Sequence, residues 1–176
     1  MKISCQRIFI SGVFLLLCFF QLNAQSSNDK TIIILLRHAE KDTSAAGSTM
    51  MQADPPLSKL GLQRTGKLLE TLKEYRVDSI FSTNFNRTKN TVKPLATQFG
   101  IDINFYDPKN ESVFVDRLKV IRGKTIVVVG HSNTIPGLVN QLIGSSKYAN
   151  LNDNEYDKIW ILSLEQGKYI EKQIQY

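Results

Sequence analysis

Cysteine is nearly absent from this chain of 176 residues. Its two cysteines, Cys5 and Cys18, both lie within the first 24 residues, in a stretch that has the pattern of a cleaved leader. The remaining chain would then contain no cysteine at all. This excludes disulfides, thiolate metal sites and cysteine nucleophiles, so the stability of the domain has to come from packing.

The first 24 residues predict a signal peptide. A basic start with Lys2 and Arg7 precedes an apolar stretch at residues 8–20, and Ala24 supplies a small residue before the expected cut at Gln25. The apolar stretch is short for a membrane-spanning helix, which needs about 20 residues. A retained membrane anchor is the alternative. We expect a secreted or periplasmic protein with no stable membrane association after cleavage.

Strong or clustered charge is also missing. The chain has 22 lysines and arginines and 16 aspartates and glutamates, which gives a formal net charge of +6. The leader carries two basic residues and no acidic residue, so its removal lowers this charge to +4. Without a basic block or a basic and aromatic stripe, nucleic-acid binding is disfavoured. Residues 25–176 have the length of a single domain, and nothing in the sequence indicates its oligomeric state.

Histidine is as scarce as cysteine, but the two histidines occupy informative positions. His38 follows an apolar run at residues 31–36, and His131 follows a second run at residues 125–129. Short apolar runs of this kind are typical of strands buried on both faces of a parallel sheet. Ligands bind at the carboxyl ends of such strands in open α/β sheets, so both imidazoles are candidates for the functional site.

Apolar runs alternate with helical patterns along the rest of the chain. This alternation predicts an α/β fold with a mostly parallel sheet, helices on both faces and right-handed crossovers. The last part of the chain predicts a C-terminal antiparallel hairpin at the edge of the sheet. The predicted strands are residues 31–36, 79–82, 101–106, 125–129, 158–164 and 168–174, and the predicted helices begin near Ser58 and cover residues 87–99, 111–122 and 134–143.

Local patterns add detail to these elements. Ser58 is expected to cap the first helix, whose predicted apolar stripe is Leu60, Leu68, Leu69 and Leu72. Pro94 lies inside the second helix and predicts either a kink or a late start near Lys93. Residues 41–56 form a long polar loop that leaves the His38 strand end, and loops of this length are usually functional or mobile.

The histidines and two arginines together indicate an anion site. Arg37 precedes His38, and Arg87 lies at a later strand-to-helix junction. Guanidinium groups match phosphate oxygens with two parallel hydrogen bonds. Their charge also disfavours protonation of a nearby imidazole, which makes His38 the candidate nucleophile and His131 a candidate donor in the transition state. Backbone amides at the following helix add to the site. The candidate phosphate-binding residues are Arg37, Arg87, His131, Ser132 and Asn133.

Four short motifs, in this order, resemble those of the histidine phosphatase superfamily, the phosphoglycerate mutase-like group. Each motif alone is weak, but the set spans nearly the whole predicted domain. The motifs are Arg37-His38-Ala39, then Leu57-Ser58 with Gly61 and Gln63, then Thr83 followed by Arg87, Thr88 and Thr91, and finally Gly130-His131-Ser132-Asn133.

This resemblance implies a three-layer α/β sandwich and a phosphatase that hydrolyses phosphate monoesters. In that mechanism His38 takes the phosphoryl group while Arg37, Arg87 and His131 bind it. Water then releases the phosphate without a metal or other cofactor, and the expected partner is a small phosphorylated substrate.

The family's proton-donating acid usually follows the third strand. The nearest match here is Asp107, with Glu111 and Glu40 as rivals. Asp107 precedes Pro108, so it is equally well explained as a turn residue.

Two other functions stay open from the sequence. A phosphoglycerate mutase-like enzyme would retain the phosphoryl group and return it to its substrate. The short chain disfavours this because dedicated mutases of the family usually carry extra segments. A phosphate-binding module with little turnover is the second alternative, which the presence of both arginines and both histidines disfavours.

Overall fold

The computed structural model describes residues 30–43 and 54–176. The predicted signal peptide at residues 1–24 and the middle of the predicted 41–56 loop lie outside these ranges. The strands are β1 (Ile32–Arg37), β2 (Ser79–Ser82), β3 (Ile103–Phe105), β4 (Thr125–Gly130), β5 (Lys158–Glu165) and β6 (Lys168–Gln175). The helices are α1 (Lys59–Leu72), α2 (Asn86–Phe99), α3 (Glu111–Lys119) and α4 (Ile135–Ile143).

The strands form one sheet in the order β3-β2-β4-β1-β5-β6. The pairs β3 with β2, β2 with β4, and β4 with β1 are parallel. β5 runs antiparallel to β1, and β6 pairs antiparallel with β5 at the edge. The predicted α/β fold, with its mostly parallel sheet and C-terminal hairpin at the edge, is confirmed.

The sheet is covered by helices on both faces, which gives the three layers that the sequence resemblance implies. Along β1, Ile33 and Leu35 pack into the core beneath α3 and α4, whereas Ile34 and Leu36 pack into the core beneath α1 and α2. All four side chains are fully buried. An unbroken apolar run is therefore required in a strand that is covered on both sides. Trp160 of β5 belongs to the α3 and α4 core.

Helix α1 begins as predicted, but its buried face differs from the prediction. The Ser58 hydroxyl accepts a hydrogen bond from the Gly61 amide at 3.0 Å and caps the helix. The predicted inclusion of Leu60 in the apolar stripe is wrong, because its side chain is 56% exposed. The helix is rotated so that Gly61 presses against the Glu40 backbone, where an added Cβ would lie 2.2 Å from the carbonyl oxygen. The residues of α1 that face the core are Gly61, Thr65, Leu68 and Leu72.

Helix α2 is continuous from Asn86 to Phe99, so the late start near Lys93 is wrong. Pro94 removes one backbone donor, but the helix packs against the sheet through Val92 and Leu95, and this burial outweighs the loss. The helix ends at Gly100, which adopts a left-handed conformation with φ of 63°.

Two predicted elements are shorter in the structure. β3 covers only Ile103–Phe105 rather than residues 101–106, because it is a three-residue edge strand paired on one side with β2. α3 ends at Lys119 rather than at Arg122. In the described ranges, no helix is long and apolar enough to cross a membrane.

Candidate active site

The two histidines lie side by side at the carboxyl ends of neighbouring strands. β1 and β4 pair in parallel, with Arg37 opposite Gly130, and the His38 amide donates to the Gly130 carbonyl at 3.0 Å. The centroids of the His38 and His131 rings are 5.5 Å apart. The sheet order therefore brings together two residues that are separated by most of the domain in sequence.

His38 is held as a neutral imidazole with a defined tautomer. Its Nδ1 lies 2.8 Å from the Ala39 carbonyl oxygen. A carbonyl oxygen only accepts hydrogen bonds, so Nδ1 carries the proton and Nε2 keeps its lone pair. Burial, reinforced by the positive charges around it, lowers the pKa of His38 from 6.5 to about 3. His38 therefore presents an unprotonated Nε2 over a wide pH range.

A hydroxyl group connects this strand end to helix α2. The Ala39 amide donates to Thr91 Oγ1 at 2.9 Å, and the Thr91 hydroxyl in turn donates to the Arg87 carbonyl at 2.7 Å. Thr91 is almost completely buried. The backbone that carries His38 is thus fixed relative to the helix that carries Arg87.

The guanidinium of Arg37 is fixed by the loop that precedes β5. Its Nη1 donates to the carbonyl oxygens of Asn152 at 2.8 Å, Asp153 at 3.2 Å and Glu155 at 3.0 Å. The group also lies 3.9 Å from the centroid of the Tyr156 ring. Arg37 Nε is buried and has no hydrogen-bond partner in the described ranges. A buried donor of this kind is costly unless a ligand pairs with it, which favours an anion at this position.

Arg87 lies in the first turn of α2. Its guanidinium is 4.4 Å from the centroid of the Phe85 ring, and its Nη1 lies 3.4 Å from Asp54 Oδ1. Asp54 also accepts hydrogen bonds from the Asn86 amide, at 2.8 Å to each carboxylate oxygen. A carboxylate of the protein itself thus binds the arginine and the positive end of the helix. No sequence pattern indicates this contact, because a single aspartate in a polar loop belongs to no recognisable motif.

His131 contacts the segment between β2 and α2, which leads to Arg87. Burial and the charges of Arg87 and Arg37 lower its pKa to about 4. Its Nε2 lies 2.9 Å from the hydroxyl of Thr83, the residue that follows β2. Its ring packs edge to face on Phe85, with centroids 5.2 Å apart.

These side chains line an open cavity of about 390 Å³ at the end of the sheet. Four of the lining residues carry a positive charge, and one, Asp153, carries a negative charge. The predicted phosphate-binding residues all border this cavity. Its lining consists of Arg37, His38, Lys41, Phe85, Arg87, Pro108, Lys109, His131, Ser132, Asn133, Thr134 and Asp153.

The first of the three carboxylates predicted as the general acid, Asp107, is a turn residue in the structure. It lies beside the cavity rather than on its lining. Its carboxylate accepts hydrogen bonds from the Lys109 amide at 2.9 Å and from Asn110 Nδ2 at 2.7 Å. Both carboxylate oxygens are thereby used in the turn that follows β3.

The two rival carboxylates also lie away from the cavity lining. Glu40 forms an ion pair with Arg64, at 2.6 Å between Oε1 and Nη2, which contributes to a lowered pKa. Glu111 accepts a hydrogen bond from Gln141 at 3.2 Å, and burial raises its pKa. The carboxylate that does border the cavity, Asp153, was missed because its loop has no motif.

No group of three or more histidine, cysteine, aspartate or glutamate side chains within residues 30–43 and 54–176 is arranged to hold a metal ion.

The sequence of this chain matches known proteins over its first strands and helices. The family model described as "Histidine phosphatase superfamily (branch 1)" matches residues 33–116, which include His38 and Arg87. A protein described as a probable phosphoglycerate mutase, GpmB of Shigella dysenteriae serotype 1 (strain Sd197), is 33% identical over 73 residues. That match covers 42% of this chain and 34% of GpmB, so it spans about a third of the length of this curated relative.

The fold matches several solved structures over most of both chains. The protein histidine phosphatase SixA, solved with tungstate, has a TM-score of 0.67 at 14% identity and covers 82% of this chain and 96% of its own. The phosphoserine phosphatase of Entamoeba histolytica, in complex with 3-phosphoglyceric acid, has a TM-score of 0.64 at 17% identity, covering 83% and 97%. A mycobacterial glucosyl-3-phosphoglycerate phosphatase has a TM-score of 0.64 at 15% identity, covering 84% and 98%.

At such identities the structural matches show a shared fold, and the sequence similarity to the family is confined to the matched residues. The family model ends within α3, before β4, whereas the fold shared with SixA covers 82% of this chain. The chain is thus similar in sequence to the histidine phosphatase superfamily over residues 33–116, which carry His38 and Arg87.

Proposed function

We propose that this protein is a phosphatase that hydrolyses phosphate monoesters through a phosphohistidine intermediate on His38, without a metal. The observation that carries the proposal is the commitment of His38 Nδ1 to the Ala39 carbonyl. This leaves the Nε2 lone pair in a cavity that also contains the side chains of Arg37 and Arg87. A neutral, oriented imidazole beside two guanidinium groups is suited to attack a bound phosphoryl group.

The reaction proceeds in two steps. His38 Nε2 attacks phosphorus, a P–N bond forms, and the bond from phosphorus to the leaving oxygen breaks as that oxygen takes up a proton. Water then attacks the phosphohistidine, the P–N bond breaks, and inorganic phosphate leaves. The arginines compensate the negative charge of the phosphoryl oxygens in both steps, with donors held in place before the reaction.

The leaving oxygen needs a proton donor when the leaving group is an alkoxide. Asp107 is the acid expected from the sequence, but its carboxylate is engaged in a turn beside the cavity. Asp153 borders the cavity, and its backbone carbonyl is bound by Arg37. The geometry therefore favours Asp153 as the proton donor, with Asp107 as the alternative.

The rim of the cavity favours a small substrate with a second anionic group. Lys41 and Lys109 border the cavity in addition to the two arginines. Their charges are available to a carboxylate or a second phosphate on the substrate, beyond the phosphoryl group that the arginines bind. Two of the structural neighbours are named for phosphorylated compounds of this kind, phosphoserine and glucosyl-3-phosphoglycerate.

A screen of the purified chain lacking residues 1–24 against phosphorylated compounds tests this function. Phosphate release should occur without added metal and should persist in the presence of a chelator. Compounds that carry a carboxylate near the phosphate should be better substrates than matched compounds without one, and this preference should weaken in Lys41→Ala and Lys109→Ala. Activity that requires an added metal would contradict the proposed mechanism.

A phosphoglycerate mutase-like phosphoryl transfer is the second candidate, and the likeness to GpmB is the observation that favours it. The two reactions differ in the fate of the phosphoryl group. Incubation with 3-phosphoglycerate should release inorganic phosphate if the chain is a phosphatase, and should yield an isomeric phosphoglycerate if it is a mutase. Tight phosphate binding with neither product would indicate a binding module.

We also propose that residues 1–24 direct export and are removed. The basic start, apolar stretch and small residue before position 25 support this. Intact mass of the exported protein should correspond to a start near Gln25. Recovery of the full-length chain only in the membrane fraction would show instead that the leader is retained as an anchor.

A further inference from the structure

Two buried threonines connect His131 to the backbone at the start of α2. Thr83 and Thr88 are both completely buried. The Thr83 hydroxyl lies 2.9 Å from His131 Nε2 and 3.0 Å from the Thr88 hydroxyl. The Thr88 hydroxyl lies 2.8 Å from the Thr83 carbonyl oxygen and 2.9 Å from the Phe85 carbonyl oxygen.

The positions of the hydrogens in this chain follow from the number of donors. Thr88 has a single hydroxyl hydrogen, and two carbonyl oxygens, which only accept, surround its oxygen. Thr88 must therefore donate to a carbonyl, which makes its oxygen the acceptor for the Thr83 hydroxyl. Thr83 then has no hydrogen left for His131, so its oxygen accepts from the imidazole. The proton of a neutral His131 consequently lies on Nε2.

We propose that Thr83 is a positioning residue that holds the His131 proton on Nε2. The unprotonated Nδ1 then contacts the phosphoryl group, and phosphate binds together with a proton. This deepens the proposed function, on which its relevance to turnover rests. His131 borders the cavity, and among the described residues its ring hydrogen-bonds to Thr83 through Nε2 and to none through Nδ1. A bare nitrogen repels a phosphate dianion, whereas it accepts a hydrogen bond from a protonated phosphate oxygen.

The surroundings of His131 keep it neutral until phosphate arrives. The charged or titratable groups that contact it or act on its pKa are His38, Arg37, Arg87 and Asp54. Lys41, Lys109 and Asp153 line the same cavity. Both arginines disfavour a further positive charge on the ring, and Asp54 opposes them only weakly as the last of the contributions. When a dianion binds, one proton from solvent therefore enters the site and is shared between Nδ1 and a phosphate oxygen.

Nitrogen-15 NMR of the imidazole rings of the free protein tests the hydrogen positions without any need for turnover. The chain has only two histidines, and they should show opposite tautomers, with the proton on Nδ1 in His38 and on Nε2 in His131. A His38→Asn variant assigns the signals. A wild-type His131 with its proton on Nδ1 would overturn the inference, whatever the variants do.

Variants of the threonines test the cause. Thr83→Val removes the acceptor at nearly constant volume and should give a substantial population of the Nδ1–H tautomer, whereas Thr83→Ser should retain the wild-type tautomer. Thr88→Val leaves Thr83 in place but removes its acceptor, so that Thr83 becomes free to donate to His131. It should therefore shift the tautomer in the same direction as Thr83→Val.

Calorimetry with inorganic phosphate, in buffers of different ionisation enthalpy, measures the proton taken up. At a pH where free phosphate is mostly dianionic, wild type and Thr83→Ser should take up about one proton per phosphate bound. Thr83→Val should take up clearly less, because a neutral ring can then donate from Nδ1. Equal uptake in Thr83→Val and wild type would contradict the inference.

Different results would refute the role of Thr83 and the phosphatase function. Labelled phosphate on His38 together with the opposite His131 tautomer would refute the role of Thr83 alone. The expected tautomer and proton uptake, without release of phosphate from any substrate, would refute the phosphatase function alone.

Discussion

His38 and His131 meet edge to face across two parallel strands, with ring centroids 5.5 Å apart and ring planes at 67°. Each ring has one nitrogen committed to the protein, His38 through Nδ1 and His131 through Nε2. Burial lowers the pKa of both groups, to about 3 for His38 and about 4 for His131. The site is thus built around two neutral imidazoles among positive charges, an arrangement with consequences for stability as well as for chemistry.

The first prediction is that the free protein loses stability as the pH falls below 6.5. Between pH 6.5 and the lowered pKa values of about 4 and about 3, the unfolded chain binds protons at both histidines and the folded chain does not. The free energy of unfolding should therefore decrease as the pH falls through this window. Above pH 6.5 the two histidines should cause no such loss. Denaturant unfolding, followed by fluorescence of the single, buried Trp160, measures this.

A His38→Gln/His131→Gln double variant is the control for this prediction. It should show a shallower loss of stability between pH 6.5 and 3, because its remaining titration involves carboxylates only. Parallel curves for wild type and the double variant would show that the histidines titrate normally in the folded protein.

The second prediction concerns the phosphoenzyme. Brief reaction with a labelled phosphate ester should place an acid-labile, base-stable label on His38, because its Nε2 is unprotonated in the cavity. His38→Ala should abolish the label and reduce turnover on the order of 10³-fold or more. Label on His131 in the wild-type protein would reverse the assignment of the nucleophile.

The third prediction compares two partly buried arginines, Arg87 beside Asp54 and Arg64 beside Glu40. Arg87→Ala should weaken the binding of inorganic phosphate and lower turnover, because charged hydrogen bonds to phosphate serve both the ground state and the transition state. Hydrogen bonds to charged groups contribute about 1.5–3 kcal/mol, which corresponds to roughly a 10- to 150-fold weaker affinity.

Arg64→Ala is the matched control, because that guanidinium pairs with Glu40 and does not border the cavity. It should change stability more than phosphate affinity. A similar loss of phosphate affinity in both variants, measured by calorimetry, would mean that Arg87 has no special role.

The fourth prediction concerns two glycines of the same helix. Gly61→Ala places a Cβ 2.2 Å from the Glu40 carbonyl oxygen, so the helix or the strand end must shift. We expect a loss of about 1–3 kcal/mol in the free energy of unfolding. Gly66→Ala has no atom within 4 Å of its new Cβ and should stabilise α1 by up to about 1 kcal/mol. Equal effects of the two substitutions in denaturant unfolding would contradict the close contact at Gly61.

Much of the fold could be predicted because its strands are buried on both faces. A strand such as β1 has to be apolar at every position, and such runs are visible in the sequence. The position of Leu60 could not be predicted in this way. Leucine spacing defines a helical stripe, but the close approach of Gly61 to Glu40 decides which way that stripe is turned, and this contact depends on the tertiary structure.

The part of the site that lies at strand ends could be predicted from the sequence. Parallel pairing of β1 with β4 brings His38 and His131 together, as expected for neighbouring strands. Asp54 and Asp153 contact the arginines from loops, and loop residues reach a site through long-range packing that leaves no periodic pattern. Asp107 illustrates the opposite error. It stands where the resemblance places the acid, but in the structure its carboxylate accepts a hydrogen bond within a turn.

The last prediction identifies the general acid by its dependence on the leaving group. Asp153→Asn should slow the phosphorylation step with alkyl phosphates by about 10²- to 10⁴-fold, because an alkoxide needs its proton in the transition state. Aryl phosphates, whose leaving groups are stable as anions, should be affected far less. Rapid-quench measurement of phosphoenzyme formation with both substrate types gives this contrast directly.

Three variants serve as controls, each removing one of the carboxylates predicted from the sequence. Asp107→Asn should lower the rates with both substrate types equally, since it disturbs the turn at Lys109 and Asn110 rather than a proton transfer. Glu40→Gln and Glu111→Gln should likewise show no difference between alkyl and aryl phosphates. If the contrast instead appears in Asp107→Asn and not in Asp153→Asn, Asp107 is the acid, because only the residue that protonates the leaving oxygen distinguishes the two classes of substrate.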